Sequence, residues 1–123
     1  MIMLSCARIG AIHTLTHGGG SAINLADKLD LCDPKLIITC TAGYHNDKAE
    51  VILFPPIIDE AIKLTKKLSN KSIKKLCYKR PEISGEGLKM DDTYVDYKTL
   101  LESDEWDEED AEMVPSGHHL YIR

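Results

Sequence analysis

Apolar positions in this chain fall into blocks of two kinds, one spaced for helices and one nearly continuous. Ala22, Leu25, Ala26, Leu29 and Cys32 recur at helical spacing, with Asn24, Asp27, Lys28 and Asp30 on the remaining positions, which predicts an amphipathic helix over residues 22–32. Ser21 is a preferred N-cap before it, and Asp33-Pro34 stops it. A second stripe runs through Ile58, Ala61, Ile62, Thr65 and Leu68. Asp59 and Glu60 stand at its expected start, with Lys63, Lys66 and Lys67 towards its end, the polarity that the helix dipole favours. Residues 35–40 form a short, continuous apolar run, the pattern of a strand covered on both faces. Residues 12–16 and 72–79 also read as strands, and residues 1–11 as helix or core material entered without an N-cap.

The order helix, strand, helix, strand, helix, strand predicts an α/β fold: a layered, mostly parallel sheet of three strands, 12–16, 35–40 and 72–79, with flanking helices and right-handed crossovers. Residues 41–56 read as a loop long enough to be functional or to carry a small hairpin. After Arg80-Pro81 the chain becomes polar, passes Tyr94 to Leu101 and enters the acidic tract 102–110. Residues 119–122 resemble the start of a further strand. The expectation is one domain over residues 1–123, with a core over about 1–80 and an acidic connection plus the next strand over 81–123.

Charge and cysteine usage narrow the function classes. A net charge of −5, with much of the negative charge near the C-terminus, gives no basic field for nucleic acid or an anionic membrane, so neither partner is expected. No apolar run approaches the ~18 residues of a membrane span, and Ser5, Arg8 and Gly10 interrupt the opening stretch. Cys6, Cys32, Cys40 and Cys77 have no zinc-ligand spacing and read as reduced, mostly buried residues.

Three features are candidates for chemistry. Gly18-Gly19-Gly20 before the Ser21 cap would let a backbone approach a ligand closely at a helix start, or serve only as a turn. It has neither the spacing of a dinucleotide fingerprint nor a phosphate-loop lysine. His45 and Lys48 follow the 35–40 strand, at the end where open α/β sheets bind ligands; a plain surface loop is the alternative. Adjacent His118 and His119 would point apart on an extended chain and have no third ligand nearby in sequence. No nucleophile with a base and no contrasted carboxylate pair is present in the pattern, so no catalytic residue is assigned.

Ser5-Cys6-Ala7-Arg8-Ile9-Gly10-Ala11-Ile12-His13, then Gly18-Gly19-Gly20-Ser21, Lys35-Leu36-Ile37-Ile38-Thr39 and His119-Leu120-Tyr121-Ile122 resemble the AMP-forming acyl-CoA synthetases, most of all the acetyl- and propionyl-CoA synthetase branch. The resemblance implies part of the large N-terminal domain of an adenylate-forming ligase. In that family ATP and Mg²⁺ convert a short carboxylic acid to an acyl-adenylate, and CoA then takes the acyl group. The family's ATP phosphate loop follows the strand that residues 119–122 resemble, so this segment is expected to be inactive by itself and to need the remainder of the parent domain for its fold. By the same resemblance Gly18 and Gly19 line the pantetheine arm of CoA, and His45 and Lys48 take the places of two arginines near the CoA phosphates. His17 and Gly20 replace the aromatics of the family's turn. The location implied is cytoplasmic or mitochondrial. The alternatives are a truncated, non-catalytic module that binds CoA weakly or a partner, and an unrelated small α/β domain.

Overall fold

The computed structural model describes residues 1–44, 50–85, 87–103 and 109–122. In chain order the elements are α1 (Ile2–Arg8), β1 (His13–Thr14), α2 (Ala22–Cys32), β2 (Leu36–Cys40), β3 (Ala42–Tyr44), β4 (Val51–Leu53), α3 (Phe54–Leu64), β5 (Lys74–Tyr78), α4 (Pro81–Ser84), β6 (Tyr94–Asp96), α5 (Tyr97–Glu102) and β7 (Tyr121–Ile122). They form two compact units, one of Met1–Thr16 with Asp104–Arg123 and one of His17–Ser103.

In the larger unit, β2, β5 and β6 make a parallel sheet in that order. Leu36 to Cys40 stand beside Lys74 to Tyr78, and Lys75 to Cys77 beside Tyr94 to Asp96. The fold is therefore α/β with parallel pairing, as its alternating pattern predicts, but the strand set differs. Residues 13–14 do not join this sheet; β1 pairs in parallel with β7 in the smaller unit, His13 beside Tyr121. The third strand of the main sheet is β6, only three residues long, too short for a period-2 pattern to declare itself.

Both long helices follow their local signals. Ser21 is extended and its Oγ accepts from the Asn24 N–H at 3.3 Å, starting α2. Asp33 ends it at φ 42°, with its N–H donating to the Leu29 carbonyl, and Pro34 forbids continuation. Helix α3 starts four residues before its apolar stripe: Pro55 and Pro56 occupy its first turn, where a missing N–H costs nothing. Asp59 and Glu60 consequently sit in mid-helix, not in the first turn, and the expected charge polarity holds only at the Lys63 end. Thr65 becomes extended, and its Oγ1 accepts from the Leu68 N–H at 3.1 Å. The carboxylate of Asp30, near the end of α2, accepts from the backbone N–H groups of Lys66 and Lys67 at 3.0 Å, clamping this turn to α2. Between them Ala26, Leu29, Ala61, Leu68 and Ile73 form the core cluster, with Ile37 of the sheet packed on it.

The smaller unit is held by hydrogen bonds to backbone carbonyls. Glu112 N–H donates to the Arg8 carbonyl at 2.8 Å, and the Arg8 Nε and Nη2 donate to the Glu109 carbonyl at 3.2 and 3.1 Å. Gly10 turns the chain after α1 at φ +66°.

Candidate binding site at the strand ends

Gly18 and Gly19 form a turn directly before the Ser21 cap, with Gly19 at φ +93°, a conformation that favours glycine. Antiparallel β3 and β4 form a hairpin just beyond the carboxyl end of β2, with Ala42 beside Leu53 and Tyr44 beside Val51. A single ring joins the two features. A Cβ at Gly18 would lie 2.9 Å from Phe54 Cζ, and a Cβ at Gly43 would lie 2.8 Å from the same atom. Both backbones therefore close on the half-buried Phe54, whose own N–H donates to the Thr41 carbonyl at 3.1 Å. Gly20 is open among the described residues: of these, only the His17 carbonyl, at 3.8 Å, comes near its Cβ position. His45 and Lys48 stand between β3 and β4 in the sequence and lie outside the described residues.

The floor of this region is polar and ordered. Thr41 is buried; its N–H donates to the Tyr78 carbonyl at 3.0 Å and its Oγ1 accepts from the Arg80 N–H at 2.8 Å. The Arg80 guanidinium, 35% exposed, donates through Nη1 to the Ala42 carbonyl at 3.4 Å and through Nε to Glu82 at 3.3 Å. Arg80 thus stands at the carboxyl end of β5 with its side chain against the base of the hairpin.

Two other clusters are structural. Lys75, 4% exposed, places its ammonium 2.7 Å from Asp59, 3.5 Å from Asp91 and 4.0 Å from the centroid of the Tyr94 ring. The Tyr94 hydroxyl donates to Asp59 at 2.9 Å, and burial, then this carboxylate, pushes its pKa well above the ordinary value. The buried lysine is thereby paired twice and covered by a ring, which is how a buried cation is tolerated. A cavity of about 190 Å³ beside it is lined by Cys77, Met90, Tyr94 and Val95, with Lys79 and Asp96 joined by a 2.9 Å ion pair. Burial pushes the Cys77 thiol up to about 11, so it is protonated and unreactive at neutral pH. His118 Nε2 meets the Gly10 carbonyl at 3.0 Å, a local contact. Among the described residues no group of three metal-ligating side chains converges.

Sequence reasoning singled out the glycine turn and missed the residues that contact it. Gly43 and Phe54 fell inside the segment read as a loop, and Arg80 was only a boundary mark. The Pro55-Pro56 pair was the available signal, since prolines in the first turn put Phe54 at a helix start.

A parallel sheet with flanking helices carries a glycine turn and a hairpin that meet on one ring at its carboxyl edge, the end where open α/β sheets bind ligands. No family model matches the chain. The chain is, however, homologous to short-chain acyl-CoA synthetases over nearly its whole length and to acetyl-CoA synthetases over about half of it. It is 35% identical over 127 residues to acyl-CoA synthetase short-chain family member 3, mitochondrial, of Bos taurus, a match covering 98% of this chain and 16% of that protein. The Homo sapiens protein of the same name is 33% identical over the same shares. The acetyl-coenzyme A synthetase of Deinococcus radiodurans is 45% identical over 62 residues, 50% of this chain and 9% of that protein. The chain thus spans about a sixth of the length of the mammalian relatives. Among the described residues no helix is long and apolar enough to cross a membrane.

Proposed function

We propose that these 123 residues are a piece of the N-terminal domain of a short-chain acyl-CoA synthetase and serve the CoA side of its site. The observation that carries the reading is the Phe54 ring, which draws the Gly18-Gly19 turn and the β3–β4 hairpin to one place at the carboxyl ends of parallel strands, where ligands of open α/β sheets bind. On this reading, which the family resemblance suggests, Gly18 and Gly19 wall the thin pantetheine arm, and the Gly20 position beside them is open among the described residues. His45 and Lys48 supply basic groups from the segment between β3 and β4. Lysine offers a point charge without the fork of arginine, and a neutral histidine offers less, so the binding is weak.

The reaction of the whole enzyme, on this reading, joins acetate or propionate to CoA with ATP cleaved to AMP and diphosphate. ATP with Mg²⁺ supplies the adenylation that turns a carboxylate oxygen into part of a leaving group. This chain's own residues bind and orient CoA; none of them holds ATP or moves a proton. It acts with the remainder of the parent domain, in the cytoplasm or the mitochondrion; the mammalian relatives carry "mitochondrial" in their names.

Two assays test this. The purified chain is expected to make no AMP from ATP with acetate or propionate and CoA, and turnover would overturn its non-catalytic role. Calorimetric titration is expected to give weak CoA binding that Lys48→Glu lowers further; the absence of heat with CoA would remove the CoA-side assignment.

A further inference from the structure

We propose that Arg80 is the anion contact of the strand-end site, receiving a phosphate of CoA when the pantetheine arm lies on the glycine turn. The inference rests on the CoA-side reading above and adds a residue and a role to it. Arg80 follows β5 at its carboxyl end, beside the carboxyl end of β2, because Thr41 Oγ1 fixes its backbone N–H at 2.8 Å. The side chain is aimed by the Ala42 carbonyl, 3.4 Å from Nη1, and Ala42 immediately precedes Gly43, whose backbone closes on Phe54 opposite Gly18. The guanidinium therefore contacts the residue that precedes Gly43 in the hairpin. Its Nη2 has no partner among the described residues, and the side chain is 35% exposed, so donors remain for a ligand.

The neighbouring described cation at this end of β5 is committed elsewhere: Lys79 pairs with Asp96 at 2.9 Å. Among the described residues the carboxylate on Arg80 is that of Glu82, 63% exposed, and an exposed pair of this kind is weak enough to yield to a phosphate. A guanidinium fork matches phosphate oxygens with charge-assisted hydrogen bonds. Arg80 thereby supplies what lysine and histidine at 48 and 45 do not, a bidentate donor already oriented by the protein.

The test is titration of the 123-residue chain and its Arg80→Gln, Arg80→Lys and Glu82→Gln variants with CoA and with pantetheine, which has the arm but no phosphate. Arg80→Gln is expected to weaken CoA about tenfold while pantetheine affinity stays unchanged, because one or two charge-assisted bonds are removed. Arg80→Lys is expected to restore part of the loss. Glu82→Gln, which leaves the arginine in place, is expected to tighten CoA about twofold by removing the competing carboxylate. Equal CoA affinity in the wild type, Arg80→Gln and Glu82→Gln would overturn the proposal and leave the CoA-side reading standing. Equal losses for CoA and pantetheine in Arg80→Gln would assign Arg80 to holding the hairpin, which also overturns it. Binding of neither compound by the wild type would overturn both.

Discussion

At the scale of single residues, the site depends on two absent methyl groups. Gly18→Ala and Gly43→Ala each place a carbon within 3.0 Å of the Phe54 ring, closer than packed atoms tolerate. Each is expected to destabilise the chain by about 1–3 kcal/mol in thermal or denaturant unfolding, the usual cost of overpacking. Phe54→Leu in the Gly18→Ala background is expected to recover part of that loss, which a double-mutant cycle reads directly. Additive effects would show that the ring and the turn are not in contact. Lys75→Ala is expected to cost about 3 kcal/mol, since it strands Asp59 beside Tyr94, and Lys75→Met to cost less. The glycine turn itself was legible in the sequence. Its physical reason was not, because Phe54 and Gly43 lie far from it along the chain and no local pattern brings them together.

At the scale of elements, the best-read pieces are those whose start and stop signals are local. Ser21 and Asp33-Pro34 bracket α2 as the sequence implies, and Ser21→Ala is expected to cost about 1 kcal/mol through loss of the bond from the Asn24 N–H. The start of α3 was misplaced because prolines signal both loops and helix first turns. Strand β6 was missed as a strand because three residues carry no period. Acid stability also belongs to this scale. Asp30 is held below the ordinary 3.8 by the backbone N–H groups of Lys66 and Lys67, Asp91 by the Thr93 hydroxyl, and Asp96 by the Lys79 ion pair. Each contribution is complete above the unfolded value near 3.8 and is lost as pH falls through the lower folded value. Unfolding free energy is therefore expected to fall below about pH 4, and Asp30→Asn, which loses the charge, to make that dependence shallower. An unchanged slope in Asp30→Asn would show that the clamp on α2 carries none of it.

At the scale of the whole molecule, the described surface leaves large side chains uncovered, among them Met1 at 91%, Leu4 at 76%, Leu31 at 83% and Met113 at 90%. Exposed apolar area of this kind marks surfaces that another protein surface covers, and the remainder of a synthetase domain is the proposed cover. The isolated chain is expected to self-associate with rising concentration in sedimentation analysis. A sharp, reversible and concentration-independent melting transition would contradict that. Pairing at this scale was the least legible part: β1 finds β7 across most of the chain, and a two-residue ladder leaves no trace in periodicity. One claim is left to be measured, that turn and hairpin form a single CoA-side site. Backbone amide shifts in a two-dimensional ¹H–¹⁵N spectrum during a CoA titration test it most directly. The account expects the shifts to gather on Gly18, Gly19, Gly43 and Phe54. Shifts gathered instead on the lysine-bearing turn at Lys66, Lys67 and Lys71, or none at saturating CoA, would contradict it.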